Sequence, residues 1–79
     1  MFYVYIIQNE KRELYKGHTE DLKRRIIEHN NGRTKTTRKS KQWKLIYSET
    51  YNERDEAIQR EKYFKTSAGR RFLKKVLVP

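Results

Sequence analysis

Tyrosines are the side chains of this sequence with the clearest potential for chemistry. Six are present, and Tyr3, Tyr5 and Tyr15 fall in two short stretches near the N-terminus. A tyrosine hydroxyl can act as a base or orient a water molecule if a nearby cation lowers its pKa from about 10. Arg25 and Lys16 are candidate cations. The alternative, which is the more common role of tyrosine in a small sheet, is a core ring with a hydrated hydroxyl.

A row of polar residues at helical spacing supplies further candidates. Asp21, Arg25 and His29 follow one another beside the apolar stripe of a predicted helix. The row therefore borders the core, where an arginine and a histidine next to a tyrosine-bearing strand can form the wall of an active site. His18 and His29 can each accept or relay a proton near neutral pH. A lone histidine is more often structural, and we favour this interpretation for His18.

Glu61 is an acidic residue placed along an apolar stripe. It lies three or four residues from Ala57, Ile58 and Phe64 in a predicted helix. An unpaired carboxylate in such a position is unfavourable, and a metal ion or a partner cation would remove the cost. Spacing alone leaves two possibilities open, a metal ligand or an ion pair with Lys65 at i+4. If an ion binds, oxygen ligation and the lack of thiols favour magnesium or manganese over zinc.

The charge of the chain predicts a polyanionic partner. The net charge is +10, from 20 basic and 10 acidic residues, and the isoelectric point is near 10.0, which is most often the signature of nucleic-acid binding. No broad apolar helix face opposes a basic one, so a membrane surface is not favoured. The segment 33–42 contains no apolar residue and is expected to be a mobile, solvated loop. Its candidate phosphate contacts are Arg33, Lys35, Arg38, Lys39 and Lys41.

The composition also excludes several kinds of site. There is no cysteine, which excludes disulfides, thiolate zinc sites and cysteine nucleophiles and fits a cytoplasmic protein. Residues 1–7 lack a basic n-region and are too short for a signal peptide or a membrane span. The 79 residues predict one small domain covering 1–79.

Hydrophobic patterning predicts three strands. Aromatic and β-branched residues on both faces of 2–7 favour a strand covered on both sides. A polar turn at 8–12 and a second strand at 13–18 complete an antiparallel hairpin. A third strand is predicted at 43–51. One of its faces is expected to carry Trp43, Leu45 and Tyr47.

Three helices complete the predicted order β-β-α-β-α-α. The first spans about 20–30, and Asn31-Gly32 supplies the left-handed residue that commonly ends a helix. The predicted N-caps of the three helices are Thr19, Asn52 and Ser67. The apolar stripes of the first and third helices are predicted to be Leu22 and Ile26, and Ala68, Phe72 and Val76. The expected fold is an α/β domain of the α+β type, with a three-stranded antiparallel sheet flanked by helices.

The ordered set of motifs resembles the GIY-YIG nuclease domain over nearly the whole chain. No single motif is specific, but their order and spacing are. The family includes the incision domain of bacterial nucleotide-excision repair, homing endonucleases and some restriction enzymes. The chain is most similar to the small stand-alone bacterial members, which are uncharacterised. The residues that carry the resemblance are Tyr3-Val4-Tyr5, Tyr15-Lys16-Gly17, the helical run 19–30 with Arg25 and His29, and Glu61-Lys62-Tyr63-Phe64-Lys65.

The resemblance implies roles for the residues of the two short motifs. Tyr5 would be the tyrosine of the first motif and Tyr15 that of the second, and either would position or deprotonate the attacking water. Gly17 would be the second-motif glycine, where a side chain would crowd the site. Two positions depart from the family pattern. Tyr3 replaces the first-motif glycine, and Lys16 replaces an aliphatic residue, where it would lower the pKa of a tyrosine, contact nucleic acid or point to solvent.

The resemblance also implies roles for three residues of the helices. Arg25 would stabilise the negative charge of a phosphorane-like transition state, since guanidinium groups suit phosphate oxygens. His29 would assist proton transfer. Glu61 would hold one Mg²⁺ or Mn²⁺ ion, which would polarise the scissile phosphate and assist the leaving oxygen. A further departure is that no asparagine follows Asn52, although some relatives have one in the last helix.

The expected function is metal-dependent hydrolysis of phosphodiester bonds in DNA or structured nucleic acid, for example in repair or recombination. One alternative is a nucleic-acid-binding module of the same fold without cleavage. Another is a basic assembly protein of a ribonucleoprotein particle. Because relatives often owe target choice to an attached domain, a targeting protein partner is also expected.

Overall fold

The computed structural model describes residues 1–77 and has the predicted order of elements. The three strands are β1 (Phe2–Gln8), β2 (Leu14–Thr19) and β3 (Lys44–Tyr51). The three helices are α1 (Leu22–Asn30), α2 (Arg54–Phe64) and α3 (Ser67–Val76). The prediction of a three-stranded antiparallel sheet with order β-β-α-β-α-α is confirmed. No helix within residues 1–77 is long and apolar enough to cross a membrane.

The central strand β1 organises the sheet, whose spatial order is β2-β1-β3. Its four consecutive residues Val4 to Ile7 are buried, because helices cover both faces of the sheet. Successive side chains of a strand point to opposite faces. The antiparallel register pairs Tyr5 with Gly17 and Ile7 with Tyr15. The tyrosines of the first two strands that resemble the family motifs therefore share one face.

Each face of the sheet has its own cluster of packed side chains. On what we call the α1 face, the cluster consists of Tyr5, Ile7 and Trp43 with Tyr15, Leu22 and Ile26 packed against them. On the opposite α2–α3 face, the cluster consists of Val4, Ile6, Ala57, Phe64 and Leu73.

A β-bulge separates side chains that were predicted to share one face of the third strand. The pairing of β1 with β3 shifts between Ile6 and Ile7. Trp43 therefore packs on the α1 face and Tyr47 on the α2–α3 face, whereas Leu45 is 41% exposed. The prediction of a common face is wrong, because an extra residue in one strand reverses the alternation of side chains beyond it.

The N-cap of each helix differs from the predicted one by one or two residues. Asp21 caps α1 by accepting from the backbone N–H of Arg24 at 3.1 Å, and Thr19 instead ends β2. A carboxylate and a hydroxyl both suit the N-cap position, so the sequence did not distinguish the two residues. The observed N-caps are Asp21, Glu53 and Thr66 in place of Thr19, Asn52 and Ser67.

The buried stripe of α3 is shifted by one residue from the predicted one. Gly69 and Leu73 are buried and the predicted Phe72 packs against the core, whereas Ala68 and Val76 are exposed. A Cβ atom on Gly69 would overlap with the carbonyl oxygen of Tyr63. The prediction failed because it treated this glycine as a gap in the apolar pattern, whereas its lack of a side chain is what allows α3 to pack closely on α2.

Candidate active site

A hydrogen bond between β1 and α1 forms the centre of the candidate site. Tyr5 Oη and His29 Nε2 are 2.8 Å apart, and both residues are buried. The strand holds the tyrosine at the middle of the sheet, and α1 places the histidine one turn after Arg25. The sequence had placed His29 at the rim of the core. Because His29 is fully buried, its hydrogen-bond partners determine whether it can accept a proton.

The second ring nitrogen of His29 has a partner in the loop that follows α1. His29 Nδ1 lies 2.6 Å from Thr37 Oγ1, and Thr37 is also fully buried. Burial, and next the positive charge of Arg25, lower the pKa of His29 to about 4. The imidazole is therefore neutral near pH 7, with one nitrogen as donor and the other as acceptor.

Tyr15 packs against both members of the Tyr5–His29 pair. Its ring centroid lies 6.3 Å from that of Tyr5 and 4.9 Å from that of His29. Tyr15 is half-buried, whereas Tyr5 is almost fully covered. Burial raises the pKa of Tyr5 to about 12, and the neighbouring Arg25 guanidinium opposes that rise. Solvent thus reaches Tyr15, and Tyr5 is the tyrosine coupled to the histidine.

Gly17 provides the space that the Tyr5 hydroxyl occupies. A Cβ atom at this position would lie 2.6 Å from Tyr5 Oη and 3.1 Å from a ring carbon of Tyr15. Such contacts are too short for real atoms, so an alanine would displace one tyrosine or the other. This agrees with the expectation that a side chain at Gly17 would crowd the site.

Arg25 brings a fixed positive charge to the same cluster. Its Nη1 donates to Glu28 Oε1 at 3.0 Å, and its side chain is 32% exposed. The guanidinium is therefore held beside Tyr5 yet remains accessible to an anion. The structure brings Tyr5, Tyr15, Arg25 and His29 together around Gly17.

Glu61 lies on α2, on the other side of the sheet. Its Oε1 accepts from His18 Nδ1 at 2.6 Å and its Oε2 from Lys65 Nζ at 2.8 Å. Burial raises the pKa of Glu61, but the hydrogen bonds from Lys65 and His18 outweigh burial, so the pKa lies below its ordinary value. The ion pair with Lys65 that the spacing allowed is present. His18, expected to be structural, is the second partner, which sequence reasoning did not identify.

Glu61 is a more distant neighbour of the tyrosine cluster than Arg25 is. Its negative charge raises the pKa of Tyr5, as the smallest of the influences on that hydroxyl. Within residues 1–77, no group of three or more histidine, aspartate and glutamate side chains is arranged to hold a metal ion. A metal at Glu61 would therefore take most of its ligands from water and substrate.

Comparisons with known proteins identify the family of this chain. The sequence model described as the GIY-YIG catalytic domain matches residues 1–74. The chain belongs to the GIY-YIG family. The resemblance inferred from the motifs is thereby confirmed, and the GIY-YIG domain is that of a family of endonucleases.

Several small proteins are similar to this GIY-YIG domain along most of their length. A UPF0213 protein of Staphylococcus saprophyticus is 37% identical over 73 residues, which cover 91% of this chain and 89% of the relative. One of Clostridium perfringens is 44% identical over 66 residues, covering 82% and 71%. The solution NMR structure of the UPF0213 protein BH0048 from Bacillus halodurans has a TM-score of 0.58 at 29% identity, covering 96% of this chain and 85% of that one.

Lys16 lies apart from the tyrosines of the GIY-YIG motifs. The register pairs it with Ile6, so it points to the α2–α3 face. Its ammonium donates to the carbonyl oxygen of Phe64 at 3.1 Å, near the negative end of the α2 dipole. The expectations that Lys16 would lower the pKa of a tyrosine or simply point to solvent are wrong, because the pleat turns it away from its neighbour Tyr15.

The basic loop of this GIY-YIG domain is anchored rather than freely solvated. Thr37 and Ser40 are buried, and the Ser40 hydroxyl donates to Glu10 Oε2 at 2.7 Å. Trp43 Nε1 donates to the carbonyl oxygen of Thr37 at 2.8 Å. The prediction of a mobile loop is therefore wrong for the part of the loop around Thr37 and Ser40. Its cationic side chains nevertheless face solvent: Arg33, Lys35, Arg38, Lys39 and Lys41.

Proposed function

We propose that this GIY-YIG domain is a metal-dependent nuclease that hydrolyses phosphodiester bonds in DNA or structured nucleic acid, in repair or recombination. The observation that carries the proposal is the buried hydrogen bond of 2.8 Å between Tyr5 and His29. A phenol bonded to a neutral imidazole, with a guanidinium beside it, is a set of groups suited to proton transfer next to a phosphate.

The proposed proton path runs from water through Tyr5 to His29. Tyr15 is accessible and positions the attacking water. As the water oxygen bonds to phosphorus and the ester P–O bond breaks, the water proton moves to Tyr5 Oη and the tyrosine proton moves to His29 Nε2. Because burial raises the pKa of Tyr5 to about 12, a free phenolate is unfavourable, and the two transfers are concerted. The leaving oxygen then takes a proton from solvent, and the proton on the buried His29 returns to solvent through Tyr5 Oη.

Arg25 stabilises the charge that develops on the phosphoryl oxygens. Its guanidinium is partly exposed and is held by Glu28, so little reorganisation is needed when a phosphate arrives. Fixed donors of this kind act most strongly in sites from which water is largely excluded. The half-buried setting of Arg25 beside Tyr5 and Tyr15 meets that condition.

Glu61 is the residue that would hold the divalent ion. Each of its carboxylate oxygens has one protein partner and can accept a further bond. A single carboxylate with water and phosphate oxygens suits Mg²⁺ or Mn²⁺, since Mg²⁺ commonly keeps several waters. When bound, the ion would polarise the scissile phosphate and stabilise the leaving oxygen. Lys65 shares the same carboxylate and would yield part of its contact.

A panel of nucleic acids tests the proposal directly. Purified protein is assayed on nicked, flapped, branched and single-stranded DNA, and on RNA, with and without magnesium. We expect Arg25→Ala to lower the cleavage rate by about 100-fold to 1,000-fold, the usual effect of removing one transition-state donor. Arg24→Ala is the matched control, since Arg24 lies next to it on α1 with a side chain that is 70% exposed. For the acid, Glu61→Gln is compared with Asp55→Asn on the same helix.

The same experiment separates cleavage from binding alone. Cleavage at the wild-type rate in both Arg25→Ala and Glu61→Gln would refute the assignment of the site. A second candidate function is a nucleic-acid-binding module of the same fold, because His18 and Lys65 already occupy one hydrogen-bonding position on each oxygen of Glu61. Binding to the panel with no cleavage of any substrate in magnesium or manganese would favour that module.

A further inference from the structure

Three buried side chains from different parts of the chain form one continuous line of hydrogen bonds. Tyr5 Oη is 2.8 Å from His29 Nε2, and His29 Nδ1 is 2.6 Å from Thr37 Oγ1. All three side chains are shielded from solvent. A neutral histidine carries its proton on one nitrogen only. The direction of the bonds therefore decides whether His29 can receive a proton from Tyr5.

The surroundings of Tyr5 fix that direction. Arginine can only donate, so the Arg25 guanidinium beside Tyr5 offers no acceptor for the Tyr5 proton. Within residues 1–77, the Tyr5 hydroxyl has no hydrogen-bond acceptor other than His29 Nε2. If Nε2 carried the proton, the buried Tyr5 proton would lack a partner among residues 1–77, and if Nδ1 carried it, the Thr37 hydroxyl proton would lack one. A phenol, with an ordinary pKa of about 10, is a stronger donor than an aliphatic hydroxyl, so the bond from Tyr5 to the imidazole is the more favourable one. Nε2 is therefore the acceptor, and Nδ1 carries the proton.

We propose that Thr37 is a positioning residue whose hydroxyl accepts the Nδ1–H of His29 and holds the imidazole in the tautomer that can accept the Tyr5 proton. The tautomer is a property of the folded chain. Only the consequence for cleavage rests on the proposed function. In general terms, a catalytic base is often oriented by a third group that bonds to its other nitrogen. Here the third group is an uncharged hydroxyl.

The loop holds Thr37 firmly enough for this role. Its backbone N–H donates to the carbonyl oxygen of Thr34 at 3.1 Å, and its own carbonyl accepts from Trp43 Nε1 at 2.8 Å. Both bonds are made by the main chain of Thr37, so they survive replacement of its side chain. Substitution of the hydroxyl alone therefore isolates the bond to His29.

Imidazole nitrogen shifts measured by NMR on ¹⁵N-labelled protein test the tautomer without any activity. In the wild type, Nδ1 is expected to give the shift of a protonated nitrogen and Nε2 that of an unprotonated one. Thr37→Val removes the acceptor at nearly constant volume and is expected to shift His29 towards the Nε2–H form or a mixture. Thr37→Ser keeps the hydroxyl and should restore the wild-type pattern. A wild-type protein with its proton on Nε2, or unchanged shifts in Thr37→Val, would overturn the proposal.

Thr34 provides a control in the same loop. Its hydroxyl oxygen is buried and has no hydrogen-bond partner within residues 1–77. Thr34→Val is therefore the same chemical change without the loss of a hydrogen bond, and His29 should keep its wild-type shifts. Thermal unfolding of each variant checks that it is folded. If Thr37→Val does not fold, the wild-type spectrum still tests which nitrogen carries the proton, and the Thr37→Ser spectrum tests whether a hydroxyl at this position maintains that tautomer.

Cleavage assays then test the consequence for the reaction. We expect Thr37→Val to lower kcat by about 10-fold to 100-fold, the range typical of residues that orient a functional histidine, with little change in KM. Thr37→Ser should recover most of the rate. A changed tautomer with an unchanged kcat would overturn the positioning role. If the wild type cleaves nothing, the nuclease proposal fails, whereas the tautomer measurement still confirms or refutes the bond from Thr37.

Discussion

The two faces of the sheet use their buried volume differently. The α2–α3 face fills it with apolar side chains, chiefly Val4, Ile6, Ala57, Phe64 and Leu73. The α1 face places Tyr5, His29 and Thr37 in its interior, joined by hydrogen bonds. Buried polar groups add less stability than apolar ones of the same size, even when they are paired. The first face therefore supplies most of the apolar core, and the second carries the groups suited to proton transfer, whereas Glu61 lies beside the edge strand β2.

Two partly buried carboxylates on the α2–α3 side, Glu49 and Glu61, show a similar contrast. Glu49 accepts from the hydroxyls of Tyr47 and Tyr51 at 2.6 and 2.7 Å and from two nitrogens of Arg60. Those four donors saturate the carboxylate, which leaves no room for a ligand. Among residues 1–77, Glu61 accepts two bonds, from His18 and Lys65. The difference marks Glu49 as structural and leaves Glu61 able to bind an ion.

Truncation of the apolar core would give the largest effect. Phe64 is fully buried at the centre of the α2–α3 cluster and stacks on Phe72. We expect Phe64→Ala to lower the free energy of unfolding by about 3–5 kcal/mol, measured by urea denaturation. Ile26→Ala is the companion on the α1 face, where the side chain is only half-buried, and it should cost clearly less. Equal losses would contradict the division between a supporting face and a functional one.

Acid should weaken the α1 face before it affects the carboxylates. His29 in the folded state has its pKa lowered from 6.5 to about 4, by burial first and then by Arg25, with Glu28 opposing. Protonation therefore favours the unfolded chain, so the contribution is complete above pH 6.5 and is lost as the pH falls towards 4. The loss amounts to about 3 kcal/mol over that range.

Comparison with His29→Gln isolates this effect. Unfolding free energies at several pH values between 4.5 and 7 should rise with pH in the wild type and be nearly flat in the variant. The other titratable groups that face His29 are Tyr5, Tyr15, Arg25 and Glu28, which both proteins share, so the difference between the two slopes isolates the imidazole. Parallel slopes in the two proteins would show that folding does not lower the pKa of His29.

The sequence predicted the parts of the molecule that depend on local patterns. Aromatic and β-branched residues identified β1, and the spacing of Arg25 and His29 placed both on the side of α1 that meets the sheet. Tyr5 and Tyr15 share a face because their strands pair in a simple hairpin register. Each of these features follows from side-chain periodicity within one element or between adjacent elements.

The missed features depend on contacts between residues far apart in the chain. Thr37 lies among other threonines in a polar loop, and no local signal distinguishes it from Thr34 or Thr36. The partner of Glu61, His18, is 43 residues away, and only the packing of α2 on β2 brings them together. The bulge in β3 was not predicted either, although three consecutive apolar residues, Leu45-Ile46-Tyr47, interrupt the alternation there.

The smallest expected effect concerns the charges outside the two cores. The basic loop lies over the α1 face, since Thr37 contacts His29, and Lys35 and Arg38 are exposed there. Replacing both by glutamine should weaken the binding of all sequences about equally and reduce the slope of log Kd against log salt by about 2, one for each lost phosphate contact.

Arg71 and Lys75 are exposed on α3, on the opposite side of the sheet. The same double replacement there should leave the slope nearly unchanged, because net charge falls equally in both variants and only the location differs. Equal changes in slope would mean that nucleic acid contacts both faces, and a loss confined to one sequence would mean that the loop reads bases as well as phosphates.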